Sequence, residues 1–186
     1  LRLKAEVFDH EFHTSVLAVG PEFKYIHAPL PWLHLITSAG IDQRAYNQSS
    51  EYNGAYGYAG EYLRFFLSEK GHDLIIGARY MGASADKSDY SYDGWEGLAR
   101  LKLKLPYDFT ASPYVIFSQT YYKGPGTALE TKDRQDDRTS VGLDLTYAVT
   151  PAWSIEAGYR YTNTWSNSNL YKYDQHVISM GVAWNF

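Results

Sequence analysis

The chain has 186 residues and no cysteine, and its 21 acidic and 17 basic residues give a formal net charge of −4. The absence of cysteine excludes disulfides, thiolate metal ligands and cysteine nucleophiles, and the acidic balance argues against a nucleic-acid partner. Eighteen tyrosines, eight phenylalanines and five tryptophans occur without any apolar run near the ~20 residues of a transmembrane helix, which excludes a helical membrane protein. The length suits a single domain over residues 1–186.

Alternation of apolar and polar residues runs along the chain and predicts ten antiparallel β-strands in an all-β fold. The strands are expected at 1–8, 15–27, 32–46, 54–67, 72–84, 92–105, 109–122, 138–149, 153–163 and 175–186. From the second strand onward, tight connections alternate with longer polar ones. This pattern is typical of a transmembrane β-barrel with both chain ends on the short-turn, periplasmic side.

Each predicted strand has one apolar and one polar face. In the strand at 138–149, Val141, Leu143 and Leu145 oppose Ser140 and Asp144. A soluble sandwich shows the same alternation, but aromatic residues near both strand ends favour two interfacial girdles on a lipid-facing barrel. The short-turn girdle comprises Trp32, Phe109, Trp153, Trp184 and Phe186, and the long-loop girdle comprises Tyr80, Tyr92, Trp95, Tyr121 and Tyr161.

Three positions break the regular strand pattern. Pro21 and Pro113 would each remove a ladder hydrogen bond, so bulges are expected there. In the fourth strand, Tyr56 and Tyr58 have the opposite parity to the leucine and phenylalanine positions that follow, which predicts a bulge near Gly60.

The inward face of the predicted barrel collects charged residues. The expected lumen-lining set is Arg44, Arg79, Glu96, Arg100, Lys102, Lys104, Asp144, Glu156 and Arg160. One interpretation is a channel or export conduit whose partly basic wall favours anionic solutes. The alternative is a plugged structural or adhesin-like barrel acting through its outer loops, since ten strands enclose a narrow interior that ion pairs can fill.

Three other groups of residues are candidate metal, catalytic or binding sites. Asp9–His13 contains carboxylate and imidazole groups, but no fourth metal ligand is fixed by spacing, so a solvated loop is expected. Asp174 and His176 suit a hydrolase at the barrel rim, yet His176 shares the parity of outward-facing Ile178. The acidic segments Asp86–Asp89 and Glu130–Asp137 are expected to be surface loops. No enzyme activity, cofactor or metal is therefore predicted.

The last hairpin, Trp153–Tyr161 followed by Ser168–Asp174 and a strand ending at Phe186, resembles the C-terminal end of Gram-negative outer-membrane barrels. The resemblance implies a bacterial outer-membrane location and contact with membrane lipids and lipopolysaccharide. It also implies an assembly signal, formed by Val182, Trp184 and Phe186, that the barrel-assembly machinery reads.

A narrower likeness, to surface lipoprotein assembly modifiers, covers about the last 35 residues. It implies the C-terminal part of a larger barrel with a periplasmic repeat domain or exported cargo as partner.

Overall fold

The computed structural model of the protein describes residues 2–10, 14–46, 50–125 and 132–184. Ten β-strands account for most of them, and they span Arg2–His10 (β1), Thr14–Leu30 (β2), Leu33–Tyr46 (β3), Gly54–Phe66 (β4), Asp73–Ala85 (β5), Tyr92–Lys104 (β6), Phe109–Pro125 (β7), Asp133–Ala148 (β8), Trp153–Ser166 (β9) and Tyr173–Trp184 (β10). Single 3₁₀ turns occupy Ser50–Tyr52, Ser88–Tyr90 and Asn169–Tyr171. Within the described ranges, no helix is long and apolar enough to cross a membrane.

All ten strands form one antiparallel sheet in which each strand pairs with its neighbour in sequence. This meander confirms the predicted all-β antiparallel architecture. Among the described residues, β1 pairs with β2 alone and β10 with β9 alone, so the sheet has two free edges.

The registers give the sheet a strong stagger. A line of paired residues that starts at Arg2 in β1 passes through Glu22, Gly40, Tyr58, Met81, Gly94, Thr120 and Asp136 and reaches Ser166 in β9. Ser166 lies two residues beyond Thr164, the partner of Tyr173. The line thus begins at the first residue of β1 and leaves the sheet past the start of β10, which is the strand tilt that a barrel needs.

The strand boundaries agree with the predicted ones to within a few residues, except at β8. This strand begins at Asp133 instead of residue 138, so part of the predicted acidic loop Glu130–Asp137 belongs to the sheet. Residues Asp133–Asp137 continue the ladder because β7 also extends, to Pro125.

The predicted bulges are wrong at all three positions. The register of β2 on β3 is the same before and after Pro21, and that of β6 on β7 is the same before and after Pro113; only local ladder pairs are missing. The pairing of β4 runs through Gly60 without a shift. Tyr56 and Tyr58 simply occupy the same face as Arg64, so no parity change is needed. The register shifts lie instead at 27–30 and 121–125.

Candidate functional site

Burial on the two faces of the sheet is the reverse of that in a water-soluble protein. One face, called the apolar face, exposes Val141, Leu143 and Leu145 by 45%, 39% and 40%. The opposite polar face buries small hydroxyl side chains, among them Ser140 and Thr162, whose oxygens lie 2.8 Å apart. A sheet with its large apolar side chains outside and its polar groups inside matches a surface solvated by lipid.

Aromatic residues mark both ends of the apolar face. At the short-turn end, Trp153 stacks on Trp184 with ring centroids 5.7 Å apart, and Trp32, Phe109 and Tyr147 are also exposed. At the long-loop end, called the loop end, the outward aromatics include Tyr80, Trp95 and Tyr121. Tyr92 was wrongly assigned to this girdle, because its ring lies on the polar face among Arg44, Tyr56 and Tyr122. Phe186 lies outside the described residues.

Five arginines on the polar face share one arrangement: each has a carboxylate partner and an aromatic ring. The ion pairs are Arg44–Asp42 (2.8 Å), Arg64–Asp73 (2.6 Å), Arg79–Glu96 (3.0 Å), Arg100–Asp144 (3.4 Å) and Arg134–Asp136 (3.0 Å from Nε to Oδ1). The rings beside the guanidinium carbons belong to Tyr56, Phe66, Tyr58, Tyr114 and Tyr122, at 3.8, 4.7, 5.5, 5.0 and 3.9 Å. Each cation is thus engaged by both a carboxylate and a ring.

The predicted lumen-lining residues lie on this polar face, in different surroundings. Arg44, Arg79, Glu96, Arg100 and Asp144 belong to the ion pairs just described. Lys104 donates a hydrogen bond from Nζ to Thr110 Oγ1 at 2.9 Å, and Lys102 pairs in register with Asp73. Glu156 and Arg160 are exposed, opposite Gly181 and Val177 in register.

Several residues of the polar face were missed in the sequence, chiefly Arg64, Asp73, Arg134 and Asp136. Arg134 and Asp136 fall in the stretch assigned to a loop. Arg134 and Asp136 are two residues apart, as are Asp42 and Arg44. This spacing could have predicted an ion pair, because it places both charges on one face of a strand.

A cavity of about 290 Å³ opens at the loop end of the polar face. Among the described residues, its walls are two arginines, seven tyrosines and small residues: Arg44, Tyr46, Tyr52, Gly54, Ala55, Tyr56, Ala83, Ser84, Ala85, Tyr90, Tyr92, Tyr122, Arg134 and Tyr171. These residues come from the six strands β3 to β8 and from the three 3₁₀ turns. The polar face therefore curves around the cavity.

The three 3₁₀ turns build the mouth of this cavity in the same way, since each ends in a tyrosine that lines it: Tyr52, Tyr90 and Tyr171. The Tyr52 and Tyr90 rings pack with centroids 4.2 Å apart. Burial of Tyr52 and its hydrogen bond with Tyr90 raise the Tyr52 pKa to about 12. The phenol therefore stays neutral throughout the physiological pH range.

Arg134 is held between two rings in the cavity. Its Cζ lies 3.9 Å from the centroid of Tyr122 and 3.5 Å from that of Tyr171. Nε donates to both carboxylate oxygens of Asp136, each at 3.0 Å. Arg44 also lines the cavity but, within the part of the chain that the structure describes, has a single ring and a single carboxylate oxygen as partners: its Nε donates to Asp42 Oδ1, and its guanidinium covers Tyr56.

The inverted burial and the tilted ten-stranded meander agree with the comparison to known families. Residues 34–186 match the outer membrane protein beta-barrel domain. The chain belongs to this family. No curated protein matches it.

As a member of the outer membrane protein beta-barrel family, the protein resides in the bacterial outer membrane, as predicted. Its apolar face is the surface available to lipid, and the exposed aromatic residues lie at the two ends of that surface, where interfacial side chains anchor a barrel. Val182 and Trp184 of the predicted assembly signal lie on the apolar face, exposed by 67% and 59%.

Asp174 and His176, the candidate catalytic pair at the barrel rim, form hydrogen bonds with different partners. His176 Nδ1 lies 2.8 Å from Tyr159 Oη, whereas Asp174 Oδ1 accepts bonds from Tyr161 Oη at 3.1 Å and Asn163 Nδ2 at 2.5 Å. His176 lies on the apolar face, as its parity predicted. The Asp9–His13 cluster falls outside the side chains that the structure describes, and the described residues contain no group of three or more potential metal ligands.

Proposed function

We propose that this outer-membrane barrel is closed to solute flow and acts by recognition at its loop end, which faces the cell exterior. The observation that carries the proposal is that five of the arginines on the polar face are paired with carboxylates and aromatic rings. A conducting basic wall presents cations to passing anions, whereas these cations already contact carboxylates and rings. This favours the plugged interpretation over the channel or export conduit.

The cavity supports the same proposal. Three loops each direct a tyrosine over the loop end of the polar face, so the rings occupy the place where a solute would enter. Aromatic side chains with hydroxyl groups also suit a binding surface, because they combine a large apolar area with a polar tip. Catalysis is not part of the proposal, since Asp174 and His176 do not orient one another.

Conductance in planar bilayers tests the proposal. We expect the purified protein to insert without conductance steps in either polarity, while a general porin prepared in the same detergent gives steps. The variant Arg100→Gln/Lys102→Gln/Lys104→Gln serves as the second arm. Regular steps from the wild type, with an anion preference that falls in this variant, would overturn the closed-barrel proposal and favour a channel.

A further inference from the structure

The cavity at the loop end has a composition that restricts its ligand. Among the residues that the structure describes, the lining contains tyrosine rings, two guanidinium groups and small residues, and none of these lining residues is a carboxylate. Its volume of about 290 Å³ is just below the range of small-molecule sites, about 300–1,000 Å³. A ligand of one or two rings fits this space.

The charge state of the two arginines further restricts which ligands the cavity can bind. Arg44 and Arg134 each form an ion pair with a carboxylate two residues away on the same strand, so neither cation is left for an anionic ligand. A guanidinium has five N–H donors, however, and the bond to Asp42 uses only the one on Nε of Arg44. The cavity therefore offers hydrogen-bond donors with little net charge.

The tyrosines supply the complementary surfaces. Tyr52 and Tyr90 pack at the mouth, and Tyr122 and Tyr171 cover the two faces of Arg134. Rings with hydroxyl groups at their edges match a ligand that has apolar C–H faces and many hydroxyls around its rim. A saccharide ring has this combination.

We propose that the tyrosine-lined cavity is a binding site for a neutral saccharide ring. The ring would stack on the tyrosines and accept hydrogen bonds from the guanidinium groups of Arg44 and Arg134. The inference rests on the proposed function, recognition at the loop end, and names the chemical class that is recognised. The saccharide can belong to lipopolysaccharide in the same membrane or be free in the surroundings.

Saturation-transfer difference NMR on the detergent-folded full chain tests the site. The probes are galactose and N-acetylglucosamine, with glucose 1-phosphate as the charged comparison, all at millimolar concentration. We expect saturation of the ring C–H protons of the neutral probes and no gain from the phosphate, because both arginine charges are already paired.

Substitutions assign the signal to the cavity. Tyr90→Ala and Tyr171→Ala should each reduce it about tenfold, and Tyr90→Phe should keep most of it because the ring remains. Tyr121→Ala is the matched control, since Tyr121 adjoins Tyr122 in sequence but lies on the apolar face. Heat-dependent gel mobility verifies that each variant is folded. Signals equal to wild type in both Tyr90→Ala and Tyr171→Ala, or no signal from either neutral probe, would overturn the proposal.

Competition identifies the source of the saccharide. If the ligand belongs to lipopolysaccharide, the complete molecule should displace the probes while lipid A without outer sugars does not; a free saccharide predicts no displacement by either. The two proposals fail separately. A non-conducting barrel without saccharide binding refutes the site alone, and conductance steps with Tyr90-dependent binding refute the closed barrel alone.

Discussion

The loop end of the polar face and the free edge of β10 contrast sharply within one sheet. At the loop end, Arg134 lies between two rings and is bonded to a buried carboxylate. Along β10, Ile178 and Met180 are exposed by 79% and 82%, and a Cβ added to Gly181 would meet nothing within 4 Å. The polar face is completed by neighbours within the described strands, whereas β10 needs partners that the sheet does not provide.

The difference between the two regions indicates which contacts of β10 the membrane can supply and which it cannot. Lipid can cover the outward side chains of β10, but it cannot satisfy the backbone N–H and C=O groups of a free edge. β1 has the second free edge of the same sheet. We therefore expect β1 and β10 to pair in the membrane.

The largest predicted effect on stability comes from a disulfide that joins the free edges of β1 and β10. We require that the antiparallel pairing cover all of β1 and that the polar face of β1 continue the polar face of β10. Two registers meet both conditions, and they place Arg2 opposite either Ala183 or Gly181. Position 5 then faces Met180 or Ile178, respectively. The double variant with the matching register, Ala5→Cys/Met180→Cys or Ala5→Cys/Ile178→Cys, should form an intramolecular disulfide and gain about 4 kcal/mol in unfolding free energy over its reduced form, because the closed loop is long.

A non-reducing gel and urea unfolding measure the two parts of this prediction. The native chain has no cysteine, so each introduced pair is unambiguous, and the single-cysteine variants are the controls. Disulfide-linked dimers without any monomeric product would contradict closure within one chain and indicate that β10 meets a second copy.

The next effect concerns the ion pairs of the polar face. Asp73 is 2% exposed and bonds Arg64 at 2.6 Å, whereas the side chains of Arg100 and Asp144 are both over 40% exposed and 3.4 Å apart. Asp73→Leu should cost about 3 kcal/mol because it leaves a partly buried guanidinium unpaired. Asp144→Leu should cost at most about 1 kcal/mol. Urea unfolding in the same detergent compares the two variants. Equal losses of unfolding free energy would show that burial does not determine how much each ion pair stabilises the protein.

Much of the fold was predictable because alternation depends on local geometry. Successive strand residues point to opposite faces, so a segment such as Val141–Leu145 displays its apolar and polar sides in sequence. Asp42, Arg44 and Arg100 were placed on the polar face for the same reason. The parity of His176 likewise predicted its position on the apolar face.

The cavity was not predictable by the same reasoning, because tyrosine has two roles in this protein. Its ring suits the interface with lipid, as at Tyr121, and also stacks on interior arginines, as at Tyr92 and Tyr122. Within a strand, parity separates the two roles: Tyr92 lies four residues before Glu96, so parity places it on the polar face, and only its position at the strand end suggested the girdle. Tyr90 and Tyr171 lie in turns, where period two does not apply, and their meeting depends on the curvature of the whole sheet.

The smallest predicted effect compares a glycine enclosed within the sheet with a glycine on its free edge. A Cβ at Gly77 would overlap the Tyr62 ring and lie 2.5 Å from the Glu61 carbonyl oxygen. Gly77→Ala should therefore cost about 2 kcal/mol through overpacking, while Gly181→Ala should change stability by less than about 0.5 kcal/mol. Unfolding midpoints in urea measure both. A large loss for Gly181→Ala would mean that a neighbour lies close to the added Cβ in the membrane, and persistence of the loss in the disulfide-closed variant would identify that neighbour as β1.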